Sequence, residues 1–256
     1  MGFETLVLAR EESFAIVTLN RPPANAISEP LIRELNDALN AVREDDSVRS
    51  VVITGAGDKI FCGGADLGSA FSGGDVEAFI RFGNSVMRKI ERFGKPVIAA
   101  INGHAMGGGM EIAMACHFRL MKETARMGQT ESNLGIIPGY GGTQRLPRLI
   151  GESRATEMIL TGRTLDAQEA ARIGLVNRLV DGDLVETGIA FAREMTGYSL
   201  PVLGLARDAI RRALDLPLPE GLKIEADLST LAFQTKDSVE GMTAFIEKRK
   251  PVFKDG

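Results

Sequence analysis

The chain has 256 residues, 44% of them hydrophobic and 25% charged, with a formal net charge of −4. That length and balance describe one large globular domain, or one domain with an appendage, and exclude long disorder. The negative balance excludes a broad basic face for nucleic acid, and no apolar run reaches the ~18 residues of a membrane span.

The opening Met1-Gly2-Phe3-Glu4-Thr5 has no basic stretch ahead of an apolar one, so no secretory signal is expected. Phe14–Leu19 reads as a strand ended by Arg21-Pro22-Pro23. Ser28 is placed to cap a helix running to about Val42, with Leu31, Leu35, Leu39 and Val42 on one face. Ser50–Thr54 is a short buried strand, followed by a glycine-bearing loop from Gly55 to Ala65, a helix over roughly Asp75–Phe93 and a strand over Pro96–Ile101. Gly107–Ala115 is expected to be a short helix, with a strand near His117–Met121. Strands alternating with helices imply α/β layering.

From about Leu165 the character changes. Asp183–Met195, Pro201–Leu214, Glu220–Phe233 and Asp237–Lys248 read as helices, and Pro217-Leu218-Pro219 interrupts the run. Residues 1–196 are therefore expected to form the core with the active site. Residues 197–256 form a helical region that both covers the core and packs on another subunit.

The chemistry concentrates between Ile101 and Gln144. Glu111 follows Gly107-Gly108-Gly109, and Glu131 follows Gln129-Thr130, ahead of Gly135-Ile136-Ile137-Pro138-Gly139-Tyr140-Gly141-Gly142. Two carboxylates divide acid and base work when one is held protonated and the other ionised. Adjacent glycines let backbone N–H groups approach a substrate oxygen. Taken singly, Glu111 reads equally as a helix-dipole partner, and Glu131 as an ordinary helix-start residue or ion-pair partner. The glycine triplet also has a packing reading.

Other motifs point away from other chemistries. Cys62 sits in an apolar setting without a neighbouring histidine and reads as a buried structural thiol; with Cys116 it is one of only two cysteines, no disulfide framework, so a reducing cytosol is the expected setting. His104 and His117, the only histidines, read as structural residues, and no serine lies in a G-x-S-x-G elbow. No histidine pair has metal-ligand spacing, so no metal site is expected. Gly55-Ala56-Gly57-Asp58-Lys59-Ile60 begins like a dinucleotide-binding loop but ends on Ile60 rather than glycine and opens into no helix.

Together, Val17-Thr18-Leu19-Asn20-Arg21-Pro22 with Asn25-Ala26, Gly63-Gly64-Ala65-Asp66, Asn102-Gly103, the glycine triplet with Glu111, and Gly135–Arg145 resemble the enoyl-CoA hydratase (crotonase) family over nearly the whole chain. The resemblance implies an α/β fold, a spiral of ββα units followed by a helical trimerisation region, assembled as a homohexamer from two trimers. It implies an oxyanion hole from the N–H groups of Ala65 and Gly108, with Glu111 activating water and Glu131 exchanging a proton at C2 of a trans-2-enoyl-CoA. Coenzyme A contacts are implied at Arg21, Ala24, Ala26, Ala65, Asp66, Leu67 and Lys248, and a water and acyl pocket at Gly139, Tyr140 and Phe82. No cofactor is implied beyond the coenzyme A of the substrate, and no nucleic-acid or membrane partner. Phe71 and Phe79 are further candidates to line the acyl pocket. Three residues depart from the family pattern: Thr130 stands where proline is frequent, Tyr140 where alanine is common, and Ser229 where a phenylalanine often meets the adenine. The alternatives are a Δ3,Δ2-enoyl-CoA isomerase, which needs a single glutamate, and an RNA-binding relative, disfavoured by the net charge.

Overall fold

The computed structural model describes residues 2–66, 68 and 75–255. Leu67 and Phe71 lie outside the described residues. The chain divides into two compact units, Met1–Ala192 and Arg193–Gly256.

The first unit is built on two sheets. Strands β1 (Leu6–Glu11), β2 (Phe14–Leu19), β3 (Ser50–Gly55), β5 (Val97–Ile101), β7 (Phe118–Lys122) and β10 (Arg178–Val180) lie side by side in that order. β1 runs antiparallel to β2, and every later pair is parallel. The buried runs of β3 and β5, SVVITG and VIAAI, lack polar alternation because helices cover both faces of a parallel sheet. The smaller sheet orders β4 (Ile60–Cys62), β6 (His104–Met106), β8 (Arg126–Gly128) and β9 (Thr164–Asp166).

Helix α1 (Glu29–Arg43) starts on Ser28, whose hydroxyl accepts from the Leu31 N–H, and buries Leu31, Ile32, Leu35, Ala38, Leu39 and Val42. Helix α2 (Val76–Glu91) starts on Asp75, whose carboxylate accepts from the Ala78 N–H, and buries Gly83, Val86, Met87 and Ile90. Helix α3 (Gly108–Ala115) is buried over its whole length. A single 3₁₀ turn, Glu131–Leu134, then leads to α4 (Gly142–Ile150), α5 (Glu152–Thr161), α6 (Ala167–Arg172) and α7 (Leu184–Thr196).

Two asparagines hold the long segment between β3 and Ala65. Asn102 accepts from the Gly55 N–H at 2.9 Å and donates to the Gly57 carbonyl at 2.8 Å. Asn25 donates to the carbonyls of Ala56 at 3.1 Å and Ile60 at 2.9 Å. The segment expected to be loop throughout, Gly55 to Ala65, therefore contains β4, a strand too short to show period-two alternation.

In the second unit, α8 (Leu200–Arg212), α9 (Leu218–Phe233) and α10 (Lys236–Ile246) follow one another. Pro217 caps α9 and Pro219 occupies its first turn, where a missing N–H costs nothing. No residue of α9 is buried, and Leu218, Leu222, Leu231 and Phe233 are exposed. Asp237 is the buried anchor of the C-terminal strap: its two carboxylate oxygens accept from the N–H groups of Lys254 at 2.8 Å and Asp255 at 2.9 Å. No helix of the described residues is long and apolar enough to cross a membrane.

One of the tight approaches in the first unit is α3 on β4. A β-carbon at Gly109 would overlap the Cys62 carbonyl oxygen and lie 2.8 Å from its carbonyl carbon and its β-carbon. Gly109→Ala must therefore push a buried helix off a strand. We expect it to lower unfolding free energy by ~1–3 kcal/mol, as overpacked cores do. Urea denaturation checks this, and an unchanged midpoint would show that α3 shifts without cost.

Candidate active site

The site forms where α3 begins. Gly107 takes φ 50°, a left-handed value that glycine adopts without a β-carbon clash. Glu111 lies in the first turn beyond it and is 1% exposed; Glu131, in the 3₁₀ turn, is 8% exposed. The charge of Glu131 bears on Glu111, and a β-carbon at Gly107 would lie 2.8 Å from Glu131 Oε1. The glycine preceding α3 thus gives Glu131 the room it occupies beside Glu111's helix.

Glu111 Oε1 accepts from the backbone N–H of Tyr140 at 2.8 Å and of Gly142 at 2.6 Å. Arg145, which follows in α4, donates to the Tyr140 carbonyl at 2.9 Å and pairs with Glu91 at 2.7 Å, bracing the same loop. Burial raises the Glu111 pKa to about 7. The Gly142 and Tyr140 N–H groups and Arg145 pull it down, and Glu131 pushes it further up. Burial also raises the Glu131 pKa. Burial therefore outweighs two hydrogen bonds at Glu111, because removing a carboxylate from water disfavours its charged form most. Glu131 Oε2 is buried without a hydrogen-bond partner among the described residues, an acceptor or donor left for a ligand.

Ala65 approaches α3 from the other side. Ile27 donates to the Gly64 carbonyl at 2.8 Å and accepts from the Asp66 N–H at 2.9 Å, in a parallel bridge of Ile27 with Ala65. That pattern turns the Ala65 N–H to the opposite side. A β-carbon at Gly64, itself at φ 100°, would stand 3.6 Å from the Gly108 nitrogen, so the backbone just before Ala65 lies against the start of α3. Among the described residues neither N–H has a partner. The Gly108 group is one of the unpaired donors at a helix start.

Arg21 closes one flank through an ion pair with Asp66 at 2.6 Å and a hydrogen bond to the Ala26 carbonyl at 3.4 Å. Ala24 accepts from the Gly63 N–H at 2.9 Å, so Arg21, Ala24, Ala26, Ala65 and Asp66 form one contiguous rim. Gly139 lies against Ile80 of α2, and its carbonyl accepts from Asn84. Tyr140 is buried beside Gly108 and stacks edge to face on Phe79, ring centroids 5.9 Å apart. Phe82 instead lies under the Arg33 guanidinium, 5.2 Å away. Of the two aromatic residues, Phe79 is the one that meets Tyr140. Lys248 is exposed in the second unit at φ 55°.

Sequence reasoning missed Arg145 and Gln129 as supports. Gln129 donates to the Gly107 carbonyl at 3.3 Å. Neither carried a signal beyond its neighbours, since both act on backbone atoms. The expected burial of the Cys62 thiol is met. Cys62 and Cys116 are buried, each thiol pushed up to about 12 by burial. His117 accepts from the Val97 N–H at 2.9 Å in a packed setting. Among the described residues no group of three His, Cys, Asp or Glu side chains is placed to hold a metal ion.

Comparison with known proteins places the chain in a family. Residues 9–256 match the family described as enoyl-CoA hydratase/isomerase. A crotonyl-CoA hydratase of Syntrophomonas wolfei is 43% identical over 99% of both chains. A short-chain-enoyl-CoA hydratase of Clostridium acetobutylicum is 41% identical over 98% of this chain and 97% of its own. The crystal structure of an enoyl-CoA hydratase from Bacillus anthracis superposes with a TM-score of 0.93 at 40% identity, covering 99% of this chain and 100% of that one. The chain belongs to the enoyl-CoA hydratase/isomerase family.

The buried pair has a consequence for stability. Glu111 titrates near 7 in the folded chain against 4.5 for the free group. Between those values the folded state holds a proton that the unfolded state has released, so stability falls as pH rises through that window. Glu111→Gln removes the titrating group. In denaturant titrations at about pH 5 and about pH 8, the wild type is expected to lose more stability between the two than the variant. Equal losses would place Glu111 at an ordinary carboxylate pKa.

Proposed function

We propose that this protein is an enoyl-CoA hydratase, adding water reversibly to a trans-2-enoyl-CoA to give a 3-hydroxyacyl-CoA. One observation carries the reading: two buried carboxylates of raised pKa lie at the start of α3, where the Ala65 and Gly108 N–H groups have no partner among the described residues. The thioester oxygen accepts from the Ala65 and Gly108 N–H groups. Those dipoles draw electron density onto the oxygen, which makes C3 electrophilic and stabilises the enolate-like transition state. Glu111 takes a proton from water as the water oxygen bonds C3. Glu131 gives a proton to C2 as the double bond is consumed. In the forward direction the proton held by the pair moves from Glu131 to Glu111; dehydration returns it. Burial raises the pKa of both carboxylates, which favours keeping a proton at the site and suits both directions. Polarisation comes from backbone dipoles, so the reaction needs no cofactor beyond the coenzyme A of the substrate.

Glu111→Gln and Glu131→Gln are each expected to lower hydration of crotonyl-CoA by ~10²–10⁴-fold, the range of a lost general acid or base. The double variant should fall short of the product of the two losses, because the pair works as a unit. A single variant with wild-type turnover would remove that residue from the mechanism. Conversion of a 3-enoyl-CoA faster than hydration would favour an isomerase.

In this reading Arg21, Ala24, Ala26 and Asp66 border the coenzyme A; Leu67, outside the described residues, and Lys248, in the second unit, are further candidate contacts on the family resemblance alone. The setting is the cytoplasm. The assembly is a homohexamer of two trimers built through the second unit. The support is α9, which buries none of its residues and presents Leu222, Leu231 and Phe233, with Phe245 of α10 85% exposed. Exposed apolar area of this kind marks an interface. Light scattering at micromolar concentration is expected to give a hexamer mass, and a monomer mass would refute the assembly.

A further inference from the structure

The Tyr140 peptide is gripped at both ends. Its N–H donates to Glu111 Oε1 at 2.8 Å, and its carbonyl accepts from the Arg145 guanidinium at 2.9 Å. The other terminal nitrogen of that guanidinium pairs at 2.7 Å with Glu91, the last residue of α2. Asn84, two turns earlier on the same face of α2, donates to the Gly139 carbonyl. Gly141, at φ 100°, makes room for the fork: a β-carbon there would overlap a terminal nitrogen of Arg145 and stand 3.6 Å from Asn84 Oδ1. Two α2 side chains and Arg145 therefore fix the carbonyls of a loop whose N–H groups hold the buried carboxylate.

Arg145 is also a cation whose charge favours the ionised form of Glu111, against burial and the charge of Glu131. The other titratable groups around α3 are neutral or turned elsewhere. The Cys62 thiol on β4 and the Cys116 thiol that closes α3 are raised to about 12, and burial raises the Tyr140 phenol. Arg119 of β7 donates to the carbonyls of Leu175 and Cys116, Lys89 of α2 reaches Asn36 and Asn40 of α1, and His104 of β6 is exposed. A carboxylate must be ionised to take a proton from water, so whatever keeps the loop amides and this cation in place supports that step.

We propose that Arg145 is a positioning residue for the water-activating step: forked between Glu91 and the Tyr140 carbonyl, it keeps the amides of residues 140 and 142 on Glu111. The inference rests on the hydratase reading for the step it serves. It rests on the fork for its geometry. Arg145 acts through the loop and touches no reacting atom. Lysine is an incomplete substitute, because an ammonium has no planar fork with which to hold a carbonyl and a carboxylate together.

The test follows kcat/KM for crotonyl-CoA against pH in the wild type, Arg145→Lys and Arg145→Gln, and in Arg145→Gln combined with Glu111→Gln. Loss of the cation and slackening of the amides raise Glu111 further, so the acidic limb of the Arg145→Gln profile moves to higher pH. Its deficit against the wild type is expected to be ~10-fold larger at about pH 6 than at about pH 8.5. Arg145→Lys keeps the charge with one bond where two stood, and its limb lies between the two. On top of Glu111→Gln, Arg145→Gln is expected to lower the rate by less than about twofold, because the group it acts through is gone. A deficit equal at every pH, or one that multiplies in full onto Glu111→Gln, would make Arg145 a packing residue and overturn the proposal. If Arg145→Gln does not fold, Arg145→Lys gives the same reading at smaller amplitude, and a limb unmoved in every folded variant overturns the proposal too. Infrared titration of the protonated-carboxyl band that Glu111→Gln removes separates the two layers. A midpoint moved upward in the Arg145 variants sustains the positioning role even if no hydration is found, and only the hydratase reading then fails. An unmoved midpoint overturns the positioning role whatever the activity.

Discussion

Everything at this site depends on how closely α3 is seated. Gly109 rests on the Cys62 carbonyl, Gly108 meets Ile27 and the Tyr140 ring, and Gly107 leaves room for Glu131. Three successive residues without side chains let a helix start inside the core rather than at its edge. Glycines at a helix start each sacrifice roughly 1 kcal/mol of helix propensity against alanine. The return is positional. The unpaired N–H groups of a helix start arrive in a water-poor setting, where each dipole acts more strongly than it would at the surface. The same burial lifts both carboxylates above their usual range.

The helices of the first unit were legible because their cores have period and caps. Ser28 and Asp75 cap where side-chain chemistry says they should, and α1 and α2 end within two residues of the expected bounds. The second sheet was not legible. β4, β6, β8 and β9 have three residues each, too few for alternation to register. They exist because the long segments that carry the site must pair with something, and tertiary contacts choose the partners. The same limit hid β10, also three residues.

The glutamates of the site were legible as residues but not as a pair. In sequence Glu111 is a first-turn carboxylate and Glu131 follows an unremarkable Gln-Thr. Nothing local says that a 3₁₀ turn carries Glu131 back to the glycine before α3. The resemblance to a family supplied that link, and the fold supplies its physical cause. Supports acting on backbone atoms, Arg145 on Tyr140 and Gln129 on Gly107, left no trace in residue type. Phe82 shows the converse: an apolar side chain in the expected stretch whose partner turns out to be the Arg33 cation.

The grip on Glu111 is made wholly by main-chain groups of the 140–142 loop. Residue 140 therefore has two separable offices. Its amide belongs to the reacting end of the site, and any amino acid except proline supplies that amide. Its side chain is buried between Gly83 and Gly108, so its shape belongs to the packing of α2 against α3. Change at that side chain acts on packing, while the amide that holds Glu111 is common to every residue that could replace it save one. The anchor of the carboxylate is thereby insulated from the identity of the residue that provides it.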